Sequence, residues 1–268
     1  MSRTYWAAMP RPDRSSEAAV KLLRNYNYRL GNRPSTTMLT ATGCPEQCTF
    51  CEEAMTGIRW ADLDSLKAEM DDIKALDYGG VYLFDDLFAI AMAKVRPIAT
   101  ELAQRDLIYR CNAQARYYTR WGEDFARLLA DTGCYEAVFG AESGSQTILD
   151  NVRKRTSVEM NYRTVEYAKK HGIIVKAFIL LGLPGENRET LRETERFVLS
   201  SGIDDAQIAI YCPYKGTQIR ETIERGDGDF DLTFSGEGLG AYGQKGGSTE
   251  AVVRTASLSE QQLIEFRD

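Results

Sequence analysis

From Thr36 onward the apolar residues of the chain switch repeatedly between two spacings. The runs TTMLTAT (36–42), VYLF (81–84), LIYRC (107–111), YEAVFGA (135–141), IIVKAFILL (173–181) and AQIAIY (206–211) are short and rich in β-branched or aromatic residues, as buried strands are. Between them, residues 61–76, 88–105, 124–132, 158–171 and 189–201 set their apolar positions three and four apart, which is one face of a helix. Six strand-helix steps predict an α/β fold with right-handed crossovers: a parallel barrel or most of one, with the chemistry on loops at the strand C-termini. An open doubly wound sheet has the same alternation, so the spacing alone leaves both open.

The flanks read differently. An amphipathic stretch from Ser16 to Leu30 predicts a helix ending at Gly31 and Asn32, a flank or lid. Gly226 to Gly247 is full of glycine, carries Asp227, Asp229 and Asp231 and has no apolar period, so it reads as a loop covering the site. Ser257 to Asp268 opens with SLSEQQ, a helix start. The expected organisation is a single domain: flanking helix 1–34, barrel 35–225, glycine-rich loop and last helix 226–268.

With 268 residues the chain can bury a large core without disulfides, so its six cysteines need not be bridges. It has no charged-then-apolar leader and no apolar run long enough to span a bilayer, which reads as cytoplasmic with no membrane partner. A formal charge of -6 disfavours a broad phosphate-binding surface, so a small molecule is expected as substrate and no nucleic acid.

The candidate chemistry begins in TATGCPEQCTFCEE, where Cys44, Cys48 and Cys51 stand in C-x3-C-x2-C spacing just after the first strand. Three thiolates on one loop can hold three corners of a 4Fe-4S cluster and leave one iron open for a ligand. Structural zinc would need a fourth donor, yet the remaining thiols, Cys111, Cys134 and Cys212, and the single histidine, His171, are distant in sequence. The spacing, with Phe50 just before the third cysteine, resembles the radical S-adenosylmethionine (radical SAM) superfamily. Further segments resemble it in order: GAESGSQTILDNVRK after the fourth strand, VKAFILLGLPGENRET on the fifth, and IYCPYKGTQI after the sixth.

The resemblance implies a partial (β/α)6 TIM-like barrel holding one 4Fe-4S cluster on Cys44, Cys48 and Cys51, and S-adenosylmethionine at the open iron. By position, Asp85 and Asp86 after the second strand would support the methionine amino group, although the sequence there departs from the family's Gly-Gly-Glu. Glu142 and Ser143 would bind ribose hydroxyls, and Gly182 would open the adenine-side turn. Arg116 could take the methionine carboxylate, since a guanidinium suits a carboxylate fork. Each has a plainer reading: helix caps for the carboxylates, a surface arginine, and for Cys212 a small buried hydrophobe.

The family's chemistry is reductive cleavage of S-adenosylmethionine and hydrogen abstraction from an unactivated carbon, driven by an external one-electron reductant of flavodoxin or ferredoxin type. The segments are closest to the cobalamin-dependent branch, but residues 1–34 are too few for a cobalamin-binding domain. The expectation is therefore epimerisation, dehydration or rearrangement of a polar metabolite such as a sugar or aminoglycoside, without cobalamin. A cobalamin-dependent methyltransferase is the alternative, and a non-catalytic iron-sulfur or zinc protein the alternative of another class. If the reaction is an epimerisation, Cys212, at the end of the sixth strand, is the candidate hydrogen donor, with Cys111 a second.

Overall fold

The computed structural model describes residues 12–14, 16–23, 28–227, 230–232, 251 and 253–268. They form two compact units. The first comprises Met1–Cys44, Gly57–Val138 and Tyr167–Val175. It opens with α1 (Glu17–Leu23), followed by the hairpin β1 (Arg29–Leu30) and β2 (Arg33–Met38), whose antiparallel register pairs Leu30 with Arg33. The helix expected to run to Leu30 is therefore shorter. Leu30 gains its burial through strand pairing, and its N–H donates to Ser35 Oγ at 3.0 Å.

The first strand also stops earlier than its β-branched run suggests. After Met38 the chain leaves β2, and Ala41–Thr42 (β3) pairs antiparallel with Arg59–Trp60 (β4). This small ladder brackets the cysteine segment in sequence. Next come α2 (Leu63–Ala75), β5 (Gly80–Leu83), α3 (Met92–Gln104), β6 (Ile108–Ala113), α4 (Ala115–Trp121), α5 (Glu123–Asp131) and the start of β7 (Cys134–Glu142). Helix α2 begins where Asp62 accepts from Ser65 N–H at 3.0 Å and buries Leu66, Met70 and Ile73. In α3, burial of Val95, Ile98, Ala99 and Leu102 outweighs an internal Pro97, whose interior position costs about 3 kcal/mol. Strands β2, β5 and β6 are parallel and in register, with Thr37 opposite Tyr82 and Tyr82 opposite Arg110.

The second unit comprises Pro45–Thr56, Phe139–Glu166 and Lys176–Asp268. After the end of β7 come α6 (Gln146–Asn151), α7 (Val158–Lys170, whose last turn from Tyr167 belongs to the first unit), β8 (Ile174–Leu181, in this unit from Lys176), α8 (Arg188–Ser200), β9 (Asp205–Ile210) and α9 (Gln218–Glu224). Strand β8 alternates half-buried and buried residues along its length, and it pairs in parallel with β9 from Lys176–Asp205 to Leu181–Ile210. A reciprocal capping box of Asn187 and Thr190 starts α8.

Within the stretch expected to be an unstructured cover, Phe230–Leu232 is a short strand (β10) paired antiparallel with Val253–Thr255 (β11). The rest of that glycine-rich stretch, residues 228–229 with Asp229 and residues 233–247, lies outside the described residues. The chain ends in α10 (Glu260–Arg267), capped by Ser259 and Gln262 as SLSEQQ predicts.

The main sheet has the order β1-β2-β5-β6-β7-β8-β9. Six of its strands, β2 and β5 to β9, follow chain order with helices between them, which makes the fold a partial (β/α)6 TIM-like barrel. Among the described residues no helix is long and apolar enough to cross a membrane.

Candidate functional site

The cysteine segment is held at its start by the tandem aspartates that follow β5. Asp85 is fully buried, and its carboxylate accepts from Thr40 N–H at 2.6 Å, from the Thr40 hydroxyl and from the Ala41 backbone. Burial pushes this carboxyl up to about 6 against those hydrogen bonds. Asp86 is exposed, yet one of its oxygens accepts from Gly43 N–H at 2.7 Å. Two adjacent side chains thus fix the backbone from residue 40 to residue 43, immediately before Cys44. Asn112, near the end of β6, adds a bond from Nδ2 to the Asp85 carbonyl at 2.9 Å. Arg116 is half-buried in the first turn of α4, its guanidinium 5.1 Å above the Tyr117 ring.

In the second unit the segment is pinned again. Thr49 N–H donates to Val152 O at 3.0 Å, Ile219 N–H donates to Thr49 O at 3.1 Å, and Met55 N–H closes on Glu46 O at 2.8 Å. Cys48 is buried and Cys51 half-buried, linked through Cys51 N–H to Cys48 O at 3.2 Å. Beside them stands a residue the sequence reading passed over. Lys154 is buried, its Nζ 2.6 Å from Glu142 Oε1 and 5.8 Å from the centre of the Phe50 ring. Phe50 in turn meets Tyr211 edge-on at 6.4 Å.

Burial works to lower the Lys154 ammonium, but Glu142 and the Cys48 and Cys51 thiols together hold it above its ordinary value. Burial raises the Cys51 thiol, opposed by the Glu53 backbone and the Lys154 charge. The only signal for Lys154 in the sequence is its place after GAESGSQTILDN, where Arg153 and Arg155 make it look like part of a solvated charge run.

Glu142 occupies this position at a backbone cost. Its φ of 61° is left-handed, which a non-glycine residue adopts under tertiary constraint. A Cβ at Gly140 would meet Glu142 Oε1 and Lys154 Nζ, so a side chain there would displace the ends of this pair. Ser143 is fully buried, its hydroxyl 3.0 Å from Thr194 Oγ1 and accepting from Ser145 N–H at 3.1 Å, so it fastens the turn after β7 to α8. Gly182, at φ 83°, donates its N–H to the buried Glu186 carboxylate. Burial pushes Glu186 up to about 7 against the Gly182 and Leu183 N–H bonds.

Cys212 is half-buried just beyond β9, and burial raises its thiol against the lowering charge of Arg220. Cys111 requires a correction as a second donor candidate. Alternation along β6 puts it on the buried face with Tyr109 and Ala113, its sulfur 3.9 Å from that of Cys134.

Among the described residues no three His, Cys, Asp or Glu side chains already stand together closely enough to hold a metal ion. The chemistry of the donor set nevertheless fits a cluster. The three cysteines of the segment carry no disulfide, the backbone between them is anchored, and a buried cation offsets thiolate charge. The sequence pattern of the Radical SAM superfamily matches residues 38–198. The chain belongs to the Radical SAM superfamily.

The family's cofactors are a 4Fe-4S cluster and S-adenosylmethionine, and Cys44, Cys48 and Cys51 lie in the matched segment. An uncharacterized methyltransferase of Pyrococcus horikoshii is 30% identical over 75% of this chain and 44% of its own length. The anaerobic magnesium-protoporphyrin IX monomethyl ester cyclase of Rubrivivax gelatinosus is 31% identical over 65% of this chain and 32% of its own. Among solved structures, the radical S-adenosylmethionine methyltransferase TsrM of Kitasatospora setae, with cobalamin and a [4Fe-4S] cluster bound, superposes with a TM-score of 0.66. That likeness covers 76% of this chain and 43% of TsrM at 21% identity, and it shows the fold. The radical SAM chain spans less than half the length of these relatives.

Proposed function

We propose that this chain is the catalytic barrel of a cobalamin-dependent radical SAM methyltransferase. The observation that carries the reading is the methyltransferase at 30% identity over three quarters of the chain, joined to a segment of three thiols with a buried lysine. When bound, the cluster and S-adenosylmethionine supply one-electron cleavage chemistry and the methyl group.

The chain's own residues hold and shape that site. Cys44, Cys48 and Cys51 ligate the cluster. Asp85 and Asp86 act as positioning residues that fix the segment before Cys44, in place of the amino-group role their position suggested. The pair of Glu142 and Lys154 puts one carboxylate and one ammonium beside Cys48 and Cys51, where they orient the polar groups of the cofactor. Arg116 remains the candidate for its carboxylate. Ser143 and Gly182 shape turns through their hydrogen bonds, and Phe50 packs the segment on Tyr211.

Epimerisation is the second reading, favoured by one observation: Cys212 is a half-buried thiol just beyond the carboxyl end of β9, where active-site loops of a barrel stand. One experiment separates the two. The anaerobically reconstituted protein is reduced and given cobalamin and S-adenosylmethionine labelled in its methyl group. Methyl transfer predicts label in cobalamin, together with S-adenosylhomocysteine. Release of 5'-deoxyadenosine with no label reaching cobalamin and no S-adenosylhomocysteine formed would remove the methyltransferase reading and restore epimerisation, dehydration or rearrangement.

A further inference from the structure

The parallel strands of the first unit have one face packed into the core and one left open. Val81 and Leu83 of β5 and Tyr109, Cys111 and Ala113 of β6 are all buried. The residues between them point the other way, and the strand register sorts them into two rows. Thr37, Tyr82 and Arg110 face one another across β2, β5 and β6. Two residues further along each strand, toward the carboxyl ends, come Leu39, Phe84 and Asn112. Phe84 is 54% exposed, Leu39 40% and the neighbouring Tyr28 43%, an unusual apolar density for the open side of a sheet.

The aromatic rings form a continuous series. Tyr28 lies 5.5 Å from Tyr82 and Tyr82 lies 6.5 Å from Phe84, centre to centre. The Arg110 guanidinium extends the surface, its carbon 5.2 Å above the Tyr82 ring. Several polar atoms of the same face are already engaged by the protein. Tyr82 Oη donates to Arg29 O at 2.9 Å, Arg110 Nε is paired with Glu136 at 2.9 Å, and Asn112 Nδ2 is held by Asp85 O at 2.9 Å. A ligand settling here finds ring faces and apolar edges. A polyol would lose its hydration against the exposed Phe84 and Leu39.

We infer that the substrate bound on this face is a flat, conjugated ring system stacked on the exposed ring of Phe84, and not the sugar or aminoglycoside expected from the sequence. The inference deepens the proposed radical reading and rests on it. Its geometry places the ring at the carboxyl ends of β5 and β6, beside the two aspartates that fix the cysteine segment.

The test uses the anaerobically reconstituted full chain and two neutral probes of equal skeleton, 2-naphthol and its ring-saturated counterpart decahydro-2-naphthol, titrated by calorimetry. Stacking worth about 0.5–1.5 kcal/mol per aromatic pair predicts that 2-naphthol binds roughly tenfold more tightly. Phe84→Leu, which keeps apolar bulk but removes the ring, should weaken 2-naphthol about fivefold and leave the saturated probe unchanged. Because Phe84 is largely exposed, the variant should melt as the wild type does, and Leu39→Ala provides a second exposed position whose truncation should weaken both probes. Equal affinity for the two probes would overturn the inference, as would 2-naphthol binding indifferent to both substitutions. Displacement of 2-naphthol by hydroxocobalamin would also overturn it, by giving the face to the corrin. Failure to load iron would instead sink the radical reading, and the probe comparison would still decide which ring chemistry the face prefers.

Discussion

The side chains of Glu142 and Lys154 are each less than a tenth exposed and 2.6 Å apart, so neither tolerates the loss of the other. Removing one partner of a buried pair leaves an uncompensated charge and costs about 3–5 kcal/mol. Lys154→Met and Glu142→Gln should each lower stability in urea by about that amount, while the double variant should cost clearly less than their sum; additive losses would show that the two side chains do not act as a pair. A second prediction concerns Glu186, whose carboxyl is held at about 7 in the fold against an ordinary value of 4.5. Between those values the folded state keeps a proton that the unfolded state has released, so stability falls as pH rises and levels off above about 7. The Asp85 carboxyl acts in the same direction but has finished by about 6, so the stretch from there to neutrality and just above reports on Glu186. Glu186→Gln keeps an acceptor for Gly182 N–H and cannot ionise; it should flatten that stretch of the melting curve by on the order of 1–3 kcal/mol, and parallel curves for variant and wild type would refute the assignment. Of these residues the sequence exposed Glu142 through its segment, but not Lys154, because a lysine between two arginines carries no mark of burial. Glu186 was hidden for the opposite reason: a carboxylate after a glycine turn reads as a solvated cap until the fold encloses it.

Among the elements, the six long apolar strands and the helices between them were legible, since each buries one face and its period survives in the sequence. What was not legible depends on tertiary contact. Arg29–Leu30 reads as the end of a helix and becomes an edge strand because β2 offers it a partner. The short helices α4, α6 and α9 are too brief to establish a period, and β10 depends on a partner some twenty residues away, Val253–Thr255. Asp85 and Asp86 were visible as a pair at a strand end, but their roles came from where Thr40 and Gly43 lie. The turn after β7 gives the prediction at this scale. A Cβ at Gly144 would lie 2.5 Å from Glu193 O and 2.7 Å from Thr194 Cα, both parts of the α8 backbone, which cannot swing aside. Gly144→Ala must therefore push α8 away from the end of β7 and break the Ser143 and Gly144 bonds to Thr194. A loss of about 3 kcal/mol or more is expected, against about 1 kcal/mol for Thr194→Val, which removes the hydroxyl but leaves the helix in place. Equal losses would mean that the hydrogen bonds, and not the close approach, set the geometry of the turn.

For the whole molecule, the decisive question is which of the six cysteines the cluster needs. Cys111 and Cys134 are buried against each other in the first unit, enclosed by Tyr109 and Tyr118, and thiols so enclosed behave as small hydrophobes. Cys212 is half-buried beyond β9, separated from the cysteine segment in sequence and held by its own strand. Only Cys44, Cys48 and Cys51 share a segment anchored by Asp85 and Asp86 before it and by Val152 and Ile219 within it. Anaerobic reconstitution should accordingly give a brown protein with about four irons per chain, as one cuboidal cluster requires. Alanine at any one of positions 44, 48 or 51 should abolish iron loading, and at 44 and 51 it should do so without unfolding the chain, because no core side chain is lost at these half-buried positions. Cys111→Ala, Cys134→Ala and Cys212→Ala should each retain full iron, the first two at a stability cost of about 1–2 kcal/mol from the small cavity left in the core. Asp85→Asn is the informative intermediate. The amide accepts through one oxygen only and turns a donor toward the Thr40 and Ala41 donors, so it should slacken the start of the segment and slow or reduce iron loading at a stability cost of about 1–3 kcal/mol. Iron content equal to wild type in that variant would show that the segment reaches its ligating geometry without the aspartate, and loss of iron in Cys111→Ala or Cys134→Ala would overturn the three-ligand assignment itself.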